Sequence, residues 1–250
     1  MKKPNFSIII PCYNERDNLD SLIKKILPLV KKYNAEGSDR TIEVIFVENG
    51  SQDDSRIYFQ KYIDGKYPGI RVIYIDTNQG YGYGIKKGIE AADGYWMGWI
   101  HADMQVGIED LEKFICAVHP VPAERPMFRI FLKARRENRK IVERFFTAGQ
   151  AVFNSILFGE RLKDVASIPM FFEADFVKSQ LSLLPDDFTI DMYLYVKAVK
   201  SGFKPFWIPV TVRKRTAGVS SWNTGILSML KQSFKIIKSS FYVKRNLKQS

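Results

Sequence analysis

The stretch VIFVENGSQDDS, Val44 to Ser55, decides how this chain is read. Four consecutive β-branched or aromatic residues give way at once to Glu48-Asn49-Gly50-Ser51, and then to the acids Asp53 and Asp54. A short apolar run bounded by turn residues reads as a strand buried on both faces, and such strands belong to parallel sheets covered by helices on both sides. The polar residues that follow then stand at the rim of the sheet, where folds of this kind place their ligands.

Working outward, FSIIIP (6–11), IRVIYID (70–76) and YWMGWIHAD (95–103) have the same character. Helix-like segments alternate with them. In NLDSLIKKILPLVKKY, Leu19, Leu22, Ile23, Ile26, Leu27 and Val30 recur at helical spacing, with Asn14 or Asp17 placed to cap. SQDDSRIYFQKYIDGKY (51–67) and IKKGIEAAD (85–93) are further helices. The second half is less regular: a strand in PMFRIFLKAR, an aromatic-rich helix ending at Gly159, a strand-plus-helix from Pro169 and a helix from Asp191. KPFWIPVTVRKR is an edge strand, because Pro205 and Pro209 cannot donate to a ladder. From Thr224 the chain reads as one terminal helix. The expectation is therefore an α/β protein with a mostly parallel central sheet and one main domain, residues 1–223, whose halves divide near residue 105. A basic amphipathic helix, 224–250, follows.

With 250 residues and 46% hydrophobic content the chain can bury a sizeable core, which excludes global disorder. Two cysteines, Cys12 and Cys116, without CxxC spacing, point to a reducing, cytoplasmic setting and no structural zinc. The apolar run before Pro11 is too short for a secretory signal, and no stretch approaches the about 20 apolar residues of a membrane span. A formal net charge of +11 calls for an anionic partner: nucleic acid, anionic membrane or a phosphorylated substrate. The basic runs 133–140, 213–215 and 231–248 are dispersed, and no nucleic-acid reader motif accompanies them, so nucleic acid ranks last. Taken singly, each run is an ordinary solvated face.

A parallel sheet would bring Glu15, Glu48, Asp76 and Asp103 to one rim, where grouped carboxylates need a cation or hydrogen-bond donors. A divalent metal carried by a diphosphate fits, since Mg²⁺ or Mn²⁺ takes hard oxygen ligands and needs few from the protein. Asp103 and Gln105, two apart on an extended segment, can offer oxygen to the same side. Each of these residues taken alone is also an ordinary strand-end turn residue.

SIIIPCYNERDNL, VIFVENGSQDDS, NQGYGYGIKKGIEAADGYWMGWIHADMQ and IPVTVRKRTAGVSSWN, in that order across residues 5 to 223, resemble glycosyltransferase family 2. The likeness is to its dolichyl-phosphate mannose synthase-like and bacterial polysaccharide branches. It implies the GT-A (Rossmann-like) fold and an inverting transfer of sugar from a UDP- or GDP-linked donor to a polyprenyl-phosphate, lipid-linked or saccharide acceptor, in cell-envelope polysaccharide or glycolipid synthesis. By the same likeness Pro11, Tyr13, Glu15 and Glu48 line the nucleotide pocket, and Asn78 and Gly80 belong to a glycine-rich approach to the donor. Asp103 and Gln105 hold Mg²⁺ or Mn²⁺, with His101 either a further ligand or a strand-end residue. Asp191, with Asp187 behind it, matches the segment that supplies a general base to hydroxyl acceptors, although both also suit helix capping. Arg215 and Ser220 match a loop that closes over the diphosphate, and Arg135 with Arg136 faces the acceptor or the diphosphate. Two positions depart from the family pattern: Asn49 and His101 stand where Asp is usual.

The terminal segment places Ile226, Leu230, Phe234, Ile237 and Phe241 on one stripe with lysines interspersed, which suits either an interfacial helix on anionic lipid or a helix packed on the domain. The departures at 49 and 101 leave a second functional reading open, a nucleotide-sugar-binding or partner subunit that has lost catalysis.

Overall fold

The computed structural model describes residues 3–119, 129–138, 141–213 and 226–249. Along the chain run β1 (Phe6–Cys12), α1 (Arg16–Tyr33), β2 (Ile42–Asn49), α2 (Ser55–Tyr62), β3 (Ile70–Ile75), α3 (Tyr81–Ala91), β4 (Trp96–Trp99) and α4 (Ile108–Ala117). There follow β5 (Ile130–Arg136), α5 (Ile141–Phe158), β6 (Met170–Glu173), α6 (Ala174–Ser179), α7 (Ile190–Lys200), β7 (Lys204–Val210) and α8 (Ile226–Gln249). The strands form one seven-stranded sheet in the order β3-β2-β1-β4-β6-β5-β7. All neighbouring pairs are parallel except those of β6, which runs against both β4 and β5. The fold is the expected mostly parallel α/β sheet with helices on both faces.

The opening stretch shows why. Val44 and Phe46 join the core on one side of the sheet, Ile45 and Val47 the core on the other, and all four are wholly buried. Ile8 and Ile10 against Ile9 repeat the alternation on β1. Apolar residues in every position suit a strand roofed on both sides. The first layer receives Leu19, Leu22 and Ile26 of α1 and Leu111 and Phe114 of α4; the second receives Ile85 and Ile89 of α3 and Tyr193 to Val196 of α7. β7 lies at the sheet edge, as its two prolines require.

Three local expectations change. Helix α4 is not singled out by the sequence reading. At α1 the cap position is Glu15, with no side-chain capping bond. Asn14 adopts φ 54° and its Oδ1 accepts from Gln52 N at 2.8 Å, so it ties two rim loops together instead of capping a helix. Helix α8 packs on α5: Ser240 and Val243 are buried, Ser240 Oγ donates to Asn154 Oδ1 at 2.6 Å, and Phe153 meets Phe241 edge-on. Phe234, Phe241 and Tyr242 nevertheless stay exposed on its outer side. The side chains of Ile226 and Leu230 lie outside the described residues.

Candidate active site

The carboxyl ends of β1 and β2 are stitched into one wall. Asn14 N donates to Ser51 Oγ, Glu15 N to Ser55 Oγ and Arg16 N to Asp53 Oδ2, all at 3.0–3.1 Å. Glu48 is wholly buried, and both of its oxygens are engaged by the chain: Oε1 accepts from Ser51 N and Oε2 from Arg56 Nε, each at 2.6 Å. Arg56 also reaches Asp76 and the Ile75 carbonyl. Glu48 thus shapes the turn and fixes Arg56, a residue the sequence reading missed. The Glu15 side chain accepts from Asn18 Nδ2 at 2.6 Å, whereas Tyr13 is exposed and Pro11 half-buried beside it.

The Asn78-x-Gly80-x-Gly82 segment joins this wall to the second half of the chain. Gly80 has φ +118°, and a Cβ there would stand 2.3 Å from the Asp186 carbonyl oxygen; at Gly82 it would stand 2.2 Å from that of Pro185. Only glycine lets the 185–187 loop lie this close to the start of α3. Tyr83 N donates to Asp186 O at 3.0 Å and Lys86 Nζ to Asp186 Oδ1 at 2.8 Å, closing the contact. Asn78 Oδ1 accepts from Gly80 N, and Asn49 Nδ2 donates to Gly80 O at 3.0 Å. Asn49 can do this because it carries an amide; a carboxylate in its place has no proton to give.

Further polar groups lie beyond β4. Asp103 is buried, and its Oδ1 accepts from Gln105 N at 3.1 Å. Asp191, in the first turn of α7, accepts from Trp99 Nε1 at 2.7 Å. Burial lifts the Asp191 carboxyl to about 6, while the Trp99 bond and then the Lys133 charge draw it down. The Tyr81 hydroxyl is held protonated far above the ordinary phenol range by burial first and then by the charges of Asp191 and Asp103. The Tyr81 ring stacks on Phe188 at 4.6 Å and lies 5.3 Å from the His101 ring, so half-buried His101 ends an aromatic shelf. Asp187 is exposed and accepts from Thr189 N and Oγ1, which makes it the brace of the loop entering α7. The structure therefore sets His101 against Tyr81 and Asp191 against Trp99 of the strand that leads to His101, Asp103 and Gln105, and gives Asp187 to the loop before α7. Tyr81, Trp99 and Phe188 were not foreseen; an aromatic directly after Gly80 and the Trp at the strand end before His101 were the available signals.

No group of three or more His, Cys, Asp or Glu able to cage a metal exists among the described residues. Just past β4 the chain offers the buried carboxylate of Asp103, with an imidazole two residues before and an amide two residues after. This donor set fits a small hard cation that takes most of its ligands from a diphosphate, and does not fit a cation held by protein alone. Arg135 is exposed beside Glu137, whereas Arg136 grips Asp164 with two nitrogens. Gln105 O accepts from Arg213 N at 2.7 Å, and Val106 bridges Val212. Arg215 and Ser220 lie outside the described residues.

A mostly parallel α/β sheet with acids at the carboxyl end of a central strand defines a ligand-binding architecture. A glycosyl transferase family 2 domain matches residues 7–161, and the chain belongs to that family. It is similar to the dolichyl-phosphate beta-glucosyltransferase of Mus musculus, 29% identical over 147 residues, covering 56% of this chain and 44% of the mouse protein. It is also similar to the undecaprenyl-phosphate 4-deoxy-4-formamido-L-arabinose transferase of Pseudomonas syringae pv. syringae (strain B728a), 28% identical over 109 residues, covering 44% of this chain and 31% of that one. The match thus spans less than half the length of these curated relatives. Among solved structures, glucosyl-3-phosphoglycerate synthase of Mycobacterium tuberculosis, crystallised with Mn²⁺, UDP and its product, shares the fold at TM-score 0.63 and 15% identity, over 97% of this chain and 80% of that one.

Proposed function

We propose that the protein is an inverting glycosyltransferase that moves a sugar from a UDP- or GDP-linked donor to a polyprenyl-phosphate or other lipid-linked or saccharide acceptor. The observation that carries this reading is the placing of buried Asp103 just past the end of β4 and of Asp191 hydrogen-bonded to Trp99 of that strand, in a chain of glycosyl transferase family 2. The relatives named above, a dolichyl-phosphate and an undecaprenyl-phosphate transferase by name, support the acceptor class.

In this reading Pro11 and Tyr13 receive the nucleotide, on a wall that Glu15, Glu48 and Arg56 keep in shape, and Asn78 and Gly80 set the approach to the donor. Asp103, with Gln105 and His101, would hold Mg²⁺ or Mn²⁺, which when bound neutralises the departing diphosphate. Arg215 and Ser220 complete the diphosphate side, and Arg135 the acceptor side. The acceptor oxygen attacks the anomeric carbon as the bond to the diphosphate breaks. Asp191 takes the proton of a hydroxyl acceptor, whereas a phosphate acceptor is already anionic and needs no base. Asp191→Asn should accordingly cost about 10²- to 10⁴-fold in rate with a hydroxyl acceptor. With a phosphate acceptor the loss should be far smaller, and the comparison identifies the acceptor.

We also propose contact with an anionic membrane. Helix α5 exposes Ile141, Phe145, Val152 and Ile156 at helical spacing, and α8 beside it exposes Phe234 and Phe241 among Lys235, Lys238 and Arg245. Residues 226–249 include no acid, and the combination suits an anionic lipid surface. No helix among the described residues is long and apolar enough to cross a membrane.

The test is transfer of labelled sugar from UDP- and GDP-sugars into undecaprenyl or dolichyl phosphate with Mn²⁺. Asp103→Ala should abolish it in a protein that still folds; full activity in that variant would remove the assignment. Nucleotide binding without turnover in the wild type would instead support a subunit that has lost catalysis.

A further inference from the structure

Phe188 is 56% exposed, and a single exposed apolar side chain is ordinary. This one differs in being held in place. Its ring is stacked on Tyr81, with centres 4.6 Å apart and planes 11° from parallel, and Tyr81 lies 5.3 Å from the His101 ring. The loop on either side is fixed as well: the Asp186 carbonyl accepts from Tyr83 N at 3.0 Å, its carboxylate from Lys86 Nζ at 2.8 Å, and Thr189 N donates to Asp187 at 2.9 Å. The loop therefore presents a phenyl ring outward, two ring contacts away from the strand end that leads to Asp103.

Helix α8 reaches the same ring. Lys235 Nζ stands 5.6 Å from the Phe188 ring centre, within cation–π range. Lys235 is exposed, and its neighbour Phe234 is 72% exposed. A chain of contacts thus runs from α8 through Lys235, Phe188 and Tyr81 to His101, just past β4. Of the acids in the loop, Asp186 is offset by Lys86, and Asp187 is turned to Thr189 N and Oγ1. An ammonium beside an exposed phenyl ring suits a ligand that joins a phosphate to an apolar chain: the phosphate takes a charge-assisted hydrogen bond, and the chain covers the ring. An ammonium carries three donors, so a contact within the protein still leaves it able to take a phosphate oxygen.

We propose that Lys235 and Phe188 are specificity-determining residues that receive, respectively, the phosphate and the adjoining apolar chain of a prenyl-phosphate acceptor. The inference deepens the acceptor reading proposed above and rests on it. It selects among the acceptors named there, because a free saccharide brings no anion to Lys235 and no hydrocarbon to Phe188. It also gives α8 a part in the site: the helix that exposes Phe234 and Phe241 outward sets an ammonium over the loop that enters α7.

Calorimetric titration with farnesyl phosphate, and with farnesol as the same chain without the charge, tests the pair. The wild type should bind farnesyl phosphate more tightly than farnesol. Lys235→Gln should weaken farnesyl phosphate several-fold and farnesol little, and Lys235→Arg should restore the difference, whereas Phe188→Ala should weaken both ligands several-fold. Undiminished binding of farnesyl phosphate in Lys235→Gln or in Phe188→Ala overturns the proposal. So does an equal loss of the two ligands in Lys235→Gln, which would make the lysine a mere packing residue, and so does a wild type that binds neither. Stabilisation of the wild type by UDP or GDP with Mn²⁺ is read without any prenyl ligand, so failure of the glycosyltransferase reading would show there separately.

Discussion

Asn49 and His101 stand where the resemblance led us to expect Asp, and the structure gives each a local role. Asn49 donates its amide to the Gly80 carbonyl and so fastens the end of β2 to the start of α3. Asn49→Asp should lower stability by about 1–3 kcal/mol, because a buried acceptor then faces an acceptor; urea unfolding measures it. His101 closes the aromatic shelf of Tyr81 and Phe188, leaving Asp103 as the one carboxylate at the end of β4. The buried titratable groups also set how stability depends on pH. Lys133 titrates near 7 in the folded chain against an ordinary 10.5, so above pH 7 the unfolded chain binds a proton that the folded chain does not. Stability from this group therefore rises with pH from about 7 to 10.5 and is lost as pH falls through that window. Asp191, at about 6 against 3.8, acts the other way: stability declines as pH rises from about 4 to 6 and is level above. Unfolding free energies of the wild type at pH 7 and 9 should differ in the stated sense, and Lys133→Met should flatten the rise.

Among the elements, legibility followed periodicity. β1, β2 and β3, α1 and the edge position of β7 could be read from apolar runs and prolines, since those patterns are caused by burial on two faces and by the missing proline donor. The antiparallel insertion of β6 between β4 and β5 could not, because strand direction is set by the path of the crossovers and leaves no mark on four residues, MFFE. In the site, Asp103 was legible as a carboxylate at a strand end, whereas Asp191 came only from the family resemblance. The engagement of Glu48 by Ser51 and Arg56 was not legible, because it depends on a contact eight residues along the chain, with the first turn of a helix that the sequence does not orient. Gly80 was read as freedom of approach for a donor, and in the folded chain the 185–187 loop also lies close against it and against Gly82. Gly82→Ala should push that loop away, costing about 1–3 kcal/mol and loosening the shelf that carries Phe188. A thermal melt combined with acceptor KM would register both effects.

At the scale of the whole molecule, the two cores of the sheet hold the wall made by β1, β2 and α3 against the loop between α6 and α7, with the α5–α8 pair presenting apolar and basic residues outward. Phe145→Ser combined with Ile156→Ser should reduce sedimentation with anionic vesicles several-fold while leaving the melting temperature unchanged; equal binding would remove the membrane contact from this picture. The central claim is that the β4 end of the sheet binds a nucleoside diphosphate through a metal at Asp103, and the most direct measurement is the shift in melting temperature on adding UDP or GDP with and without Mn²⁺. The wild type should be stabilised by one of these nucleotides, more with Mn²⁺ than without it, and the Mn²⁺-dependent part should disappear in Asp103→Ala. No stabilisation by either nucleotide, or an undiminished Mn²⁺ effect in the variant, would contradict the account.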